Sequence, residues 1–155
     1  MYYKQINKEI ILDKQLVKTR NNHLGRMLLE LHKSFIEESI SHLKSAGFND
    51  LLPHHFYTIA HIDTEKGCEI SELIEKSGTS KQAISNTLKH LEEKKYIKKV
   101  ASEIDARSKK IFFTNKGIKL IEQGMEAVAK IESRYSEVIG KKNFKIMKES
   151  LEKIV

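Results

Sequence analysis

The sequence holds one cysteine, Cys68, one proline, Pro53, and no tryptophan among its 155 residues. A lone cysteine excludes an internal disulfide. The fold must therefore rest on its apolar core, and a chain of this length can bury one. No apolar run approaches the roughly 20 residues that a membrane-spanning helix requires. The N-terminal stretch MYYKQINKEI is polar and lacks the apolar centre of a signal peptide. No membrane partner is expected, and the cytoplasm is the expected location. A Gly-rich phosphate loop, a nucleophile elbow, a paired-carboxylate motif, an HExxH run and a close Cys/His set are all missing. Nothing points to an enzyme, a cofactor or a metal. Scarce proline, seven glycines and abundant Leu, Ile, Lys and Glu leave a composition that favours helices.

What is present is positive charge, unevenly placed. The net charge is +7. Between Thr79 and Lys116 ten basic side chains stand against four acidic ones, so this stretch carries nearly the whole excess. Basic chains favour anionic partners: nucleic acid, anionic membrane or acidic protein. A solvated Lys-rich face has the same composition, so charge alone does not choose among them.

Periodicity orders the chain. From about Ile6 to Ser45, Leu16, Leu24, Met27, Leu28, Leu31, Phe35, Ile36 and Leu43 recur mainly at three- and four-residue steps, as in a helix. Asn21, Asn22 and Gly25 predict a bend or break in its middle, and Gly47 its end. Pro53 suits the first position of a second helix, expected to reach about Glu65 with Phe56, Ile59, Ala60 and Ile62 inward. Cys68-Glu69-Ile70 allows only a stub of strand. Ser71 is the expected N-cap of a short helix over 72–77 that buries Leu73 and Ile74, and Gly78 breaks it. The next helix, from about Ser80 to Lys95, places Ala83, Ile84, Thr87, Leu88 and Leu91 on one face. Lys81, Gln82, Ser85, Asn86 and Lys89 fall on the opposite one. After Tyr96 the period shifts toward two, and 97–103 and 109–114 read as strands joined by a charged tip. From Gly117 onward Ile118, Ile121, Met125, Val128, Glu132, Tyr135 and Ile139 form a coiled-coil-like seam with one polar position. A last short helix presents Phe144, Met147, Leu151 and Ile154.

Two short helices around a glycine turn form a helix-turn-helix pattern. Its second helix packs through an apolar face and offers short polar side chains on the other. Reading base edges requires this division. Ser, Asn and Gln can contact bases, while Lys neutralises phosphate. A basic hairpin follows where a wing would lie, and Arg107 at its tip is suited to a narrow minor groove. Each piece has an ordinary reading as well. A polar-faced helix can be a plain surface helix, and Thr79-x-x-Gln82 fits a capping box that would turn Gln82 to the backbone. The order of all the pieces together is what is rare by chance.

The stretch from Ile104 to Gly117, IDARSKKIFFTNKG, resembles the wing signature of the multiple-antibiotic-resistance regulator (MarR) family: Asp-x-Arg-Ser-x-Lys, an apolar strand, then Leu-Thr-x-x-Gly. Leu88 to Ile97, LKHLEEKKYI, resembles the family's recognition-helix end, where a Leu-Glu pair leads to Gly and an apolar residue. The resemblance implies a mainly α fold, a winged helix-turn-helix with long N- and C-terminal dimerisation helices. It divides the chain into 1–50, 51–116 and 117–155 within one intertwined homodimer. Ser80, Lys81, Gln82, Ser85, Asn86 and Lys89 would face the major groove of double-stranded DNA, Arg107 the minor groove, and Asp105 would brace the wing. Lys109 and Lys110 join the DNA-binding set. Phe113 stands in place of the usual Leu, Tyr96 in place of a common Gly, and Leu52-Pro53 where a capping Thr is frequent.

The resemblance also implies a small aromatic or amphipathic effector, for which His32, Phe35, Phe56 and Tyr57 are crevice candidates or simply core. Cys68 reads as an ordinary buried small residue, with no second cysteine to resolve a sulfenate. His54, His55 and His61 cluster without metal-ligand spacing. The competing function is a winged helix used for protein contacts, because folds do not fix functions.

Overall fold

The computed structural model describes residues 14–101 and 109–155. Asp105 and Arg107, and the helical reading of residues 6–13, lie outside the described residues. The chain divides into two compact units, residues 1–36 and 37–155.

The described residues of the first unit form α1 (Lys14–Asn22) and the start of α2 (Leu24–Ser45). The predicted break falls at His23. Its ring Nδ1 accepts the Arg26 amide at 3.2 Å, which caps the new helix where the backbone ladder restarts. Leu24, Met27, Leu28 and Leu29 are exposed along this part of α2.

In the second unit α2 ends as expected at Gly47, where the Phe48 amide folds back to the Leu43 carbonyl at 2.9 Å. Helix α3 (Pro53–Ala60) is five residues shorter than predicted and leaves Ala60 exposed. Asp63 is the cause. Its Oδ1 accepts the amides of Glu65 at 2.8 Å and Lys66 at 2.7 Å, a turn that competes with the helical ladder. Strand β1 is the stub Cys68–Glu69, followed directly by α4 (Ile70–Ser77). Ser71 lies inside α4 and is not its cap; the N-cap residue is Glu69, which makes no side-chain cap bond.

Helix α5 (Lys81–Glu93) precedes the hairpin β2 (Ile97–Ala101) and β3 (Lys109–Phe113), and α6 (Asn115–Ile139) and α7 (Lys141–Leu151) close the chain. The three strands form an antiparallel sheet in the order β1-β3-β2, with Ile97 opposite Phe113, Lys99 opposite Ile111 and Cys68 opposite Ile111 on the other side. Leu43, Leu73, Leu88, Leu91, Ile111 and Leu120 meet in one core, almost wholly removed from solvent. Each such burial is worth about 1.5–3 kcal/mol against exposure.

The face that α6 buries is displaced by one residue from the predicted seam. Gly117, Leu120, Ala127 and Ile131 are buried, while Met125 and Ile139 are exposed. Small residues let the backbone approach its neighbours, and a count of large apolar side chains undervalues them. Among the described residues no helix is long and apolar enough to cross a membrane.

Candidate nucleic-acid interface

Helices α4 and α5 meet at a turn in which Gly78 adopts φ 57, a left-handed backbone that costs glycine little. Ser80 then starts α5. Its Oγ accepts the Ala83 amide at 3.2 Å, so the N-cap of α5 is Ser80, one residue beyond Thr79. Along α5, Ile84, Thr87, Leu88 and Leu91 are buried, and Ala83 is exposed rather than inward. Lys81, Gln82, Ser85, Asn86 and Lys89 are all exposed on the opposite side. Gln82 Nε2 donates to Asn86 Oδ1 at 3.1 Å, so Gln82 lies along the polar face and not over the helix end. Lys89 stands 3.9 Å from Glu93, one turn on.

The hairpin is fastened to α5 by Lys99, whose Nζ lies 2.6 Å from Glu92 Oε2. Its two neighbouring lysines separate, because successive strand residues point to opposite faces. Lys109 is exposed at the start of β3. Lys110 pairs in register with Glu69, has its Nζ 5.7 Å from the Phe112 ring centre, and lines a cavity of about 260 Å³ with Asp63, Cys68, Glu69 and Glu72. Lys110 is thus drawn toward the β1 side of the sheet.

The C-terminal end of α5 is tied down by groups far away in sequence. His90 Nε2 lies 2.8 Å from the Asp50 carbonyl oxygen, which makes that nitrogen the donor. The Tyr96 hydroxyl donates to Asp50 Oδ1 at 2.5 Å, and Lys94 stands 3.9 Å from Oδ2. Burial opposes the Asp50 charge, but the Tyr96 hydrogen bond, Lys116 and Lys94 outweigh it and hold the carboxyl below its usual range. Burial and the Asp50 bond together raise the Tyr96 phenol well above its ordinary value. Lys116 Nζ caps the Tyr96 ring at 4.1 Å and donates to the Lys94 carbonyl at 2.9 Å. Thr114 Oγ1 donates to the Lys95 carbonyl at 2.5 Å while accepting the Gly117 amide at 3.1 Å. A Cβ on Gly117 would lie 2.0 Å from the Tyr96 carbonyl oxygen, so this contact admits only glycine.

Residues 49–108 match the sequence profile of the MarR family. Over this segment, which holds the helix-turn-helix and β2, the chain is similar to that family. The fold agrees along most of the chain with three solved structures. The transcriptional repressor CouR, bound to a 23-mer DNA duplex, is 22% identical, with a TM-score of 0.71 over 88% of this chain and 94% of that one. MarR from E. coli is 16% identical, with a TM-score of 0.70 over 86% and 96%. MepR from S. aureus, in complex with DNA, is 20% identical, with a TM-score of 0.67 over 85% and 96%. No curated protein sequence matches the chain. MarR-family members are DNA-binding transcription regulators and not enzymes.

Against the MarR signature, one position moves. The residue in the left-handed conformation is Lys95, at φ 62. The place where a glycine is common is therefore Lys95, and Tyr96 is the buried apolar position after it. The Thr-x-x-Gly part of the signature is explained by Thr114 and Gly117, which join the wing to α6. The roles of Asp50 and His90 were missed in the sequence because their partners lie tens of residues away.

Of the crevice candidates, Phe56 packs half-buried on the core, Tyr57 is 54% exposed, His32 is exposed and Phe35 is half-buried. Cys68 is buried, and its Sγ donates to Glu72 Oε2 at 3.3 Å. Burial and that carboxylate push the thiol up to about 11, which leaves almost no thiolate near neutrality. Among the described residues no three His, Cys, Asp or Glu side chains gather as metal ligands.

Proposed function

We propose that the chain is a cytoplasmic, homodimeric transcriptional repressor that binds an inverted-repeat operator and is relieved by a small aromatic or amphipathic ligand. The observation that carries this reading is the division of α5: Ile84, Leu88 and Leu91 are buried, while Lys81, Gln82, Ser85, Asn86 and Lys89 stand free of the core. In this reading α5 enters the major groove, its polar side chains meet base edges, and the lysines neutralise phosphates. Lys109, Lys110 and Arg107 follow the flanking backbone and minor groove. The DNA-bound CouR and MepR structures support the same use of the fold.

A second copy is the expected cover for apolar side chains left in solvent. Leu24, Leu28 and Leu29 on α2 and, in the other unit, Val138, Ile146 and Ile154 are such residues. A twofold dimer would address half-sites roughly 34–36 Å apart. A ligand would act by favouring a dimer form whose recognition helices are wrongly spaced.

The test is a gel shift on DNA upstream of the chain's own gene across a salt series. Affinity is expected to fall with salt at a log–log slope of about −0.9 per neutralised phosphate, and a phenolic compound is expected to weaken it. Arg107→Ala should reduce affinity at least about tenfold without loss of the dimer. No shift at low salt removes the DNA reading; full affinity in Arg107→Ala removes the wing from it.

A further inference from the structure

The loop before α3, α3 itself and the end of α5 share a feature that DNA contact does not use. His55 is 2% exposed at the third position of α3. Its Nδ1 accepts the Leu52 amide at 3.1 Å, so the neutral ring carries its proton on Nε2. Leu52 has no side-chain acceptor, and this bond is the part of a capping arrangement that remains. The His55 ring stacks on His90 of α5 with centres 4.5 Å apart and planes 28° from parallel, and meets His54 edge-on at 4.3 Å. His90 in turn holds the Asp50 carbonyl, and the Asp50 carboxylate holds Tyr96. One chain of contacts thus runs from the start of α3 to the end of the recognition helix.

We propose that His55 is a positioning residue for α5: its neutral ring, bonded to Leu52 and stacked on His90, holds the recognition helix, and its protonation releases that hold and weakens DNA binding. The proton and the Leu52 amide compete for the same lone pair. A proton on Nδ1 breaks the Leu52 bond, leaves two N–H groups facing each other, and sets a buried cation against His90. The titratable and charged groups acting on His55 are His54 on its own helix, His90 on α5 and Asp50 in the preceding loop. Only Asp50 favours the charge; burial, His54 and His90 oppose it and bring the group from 6.5 down to about 4. Protonation is therefore accommodated by opening the α3 start. Between pH 6.5 and about 4 each unit multiplies the ratio of opened to closed form by about ten.

The DNA part of this inference rests on the proposed function, so the experiment reads the two separately. Amide exchange of the 88–95 segment, corrected for intrinsic rates, is followed from pH 7.5 to 5.0 in the wild type, His55→Asn and His54→Asn. Affinity for a duplex of the gene's upstream DNA is measured on the same samples at constant ionic strength. In the wild type, protection should fall by roughly thirtyfold over this range, because the opened form takes its proton near 6.5 and the closed form only near 4, and affinity should fall with it. His54→Asn should behave alike, while His55→Asn, whose amide oxygen can keep the Leu52 bond, should change less than about threefold. The expected fall is opposite in sign to what histidines gaining charge on a basic surface would produce. DNA affinity that stays level or rises on acidification in the wild type overturns the proposal. So does a His55 imidazole titration near 6.5 by NMR, which needs no variant to fold. Absence of DNA binding at every pH, with protection still lost on acidification, overturns the functional reading and leaves the hold of His55 on α5 standing.

Discussion

The two ends of α5 are built for opposite purposes. Its N-terminal half is joined to the rest of the unit by the buried edge of Ile84, Thr87 and Leu88, and its outer side chains bond mainly to one another, as Gln82 does to Asn86. Its C-terminal end is fastened by His90, Tyr96, Asp50 and Lys116 to α3 and α6. The lesson is a separation of tasks. On the proposed reading, residues that meet a groove must be replaceable without unfolding the lobe, and residues that aim the helix must be too costly to lose. Substitutions at the aiming end should act on stability, and those at the reading end on DNA affinity.

Five measurements sharpen or break that comparison. The largest stability effect is expected from Gly117→Ala, because the added Cβ meets the Tyr96 carbonyl; about 3 kcal/mol or more should be lost, visible as a Tm lower by roughly 6–12 °C. Next comes acid. The His55 ring is neutral when folded, its affinity for protons brought from 6.5 to about 4, so the unfolded chain binds the proton first. Its contribution is complete above pH 6.5 and is lost as pH falls toward 4, on the order of 2–3 kcal/mol. Urea titrations at pH 7 and 4.5 should show this drop in the wild type, over and above any shared by His55→Asn. Third, Tyr96→Phe leaves Asp50 without its hydroxyl donor and should lower the urea-derived stability by about 1.5–2 kcal/mol. Fourth, Ser80→Ala removes the cap at the reading end and should remove only about 1 kcal/mol. The smallest stability change is expected from Lys81→Ala and Lys89→Ala, within about 0.5 kcal/mol. If Lys81 contacts a phosphate, its loss should lower the salt slope of DNA binding by about 0.9. Should Lys81→Ala unfold the lobe, or Tyr96→Phe leave stability unchanged, the division of labour along α5 is wrong.

Most of the helical frame was legible because local patterns decide it. The alternation of Ile84, Leu88 and Leu91 with Lys81, Ser85 and Lys89 is a helical face whatever the surroundings, and the hairpin followed from a change of period. The errors came where a single side chain or a small residue outweighs periodicity. Asp63 ended α3 early by capturing two amides. Gly117 and Ala127 carried the buried line of α6, though neither looks hydrophobic enough to do so. The polar face of α5 was readable: Lys81, Gln82, Ser85, Asn86 and Lys89 are exposed as expected. Its support was not, because Asp50 reaches Tyr96 across 46 positions and His90 across 40, and no local spacing encodes such a meeting. Lys109 and Lys110 were grouped by charge, whereas the pleat of β3 sends them to different faces.

The order of the sheet has its own consequence. Among the described residues, β3 is enclosed between β1 and β2 and β2 pairs with a strand on one side only, the kind of border on which foreign chains add themselves and polymerise. Lys98 and Lys99 sit in the middle of that border. Lys99 is already paired with Glu92, but Lys98 is exposed, and a strand docking there would have to accommodate its charge.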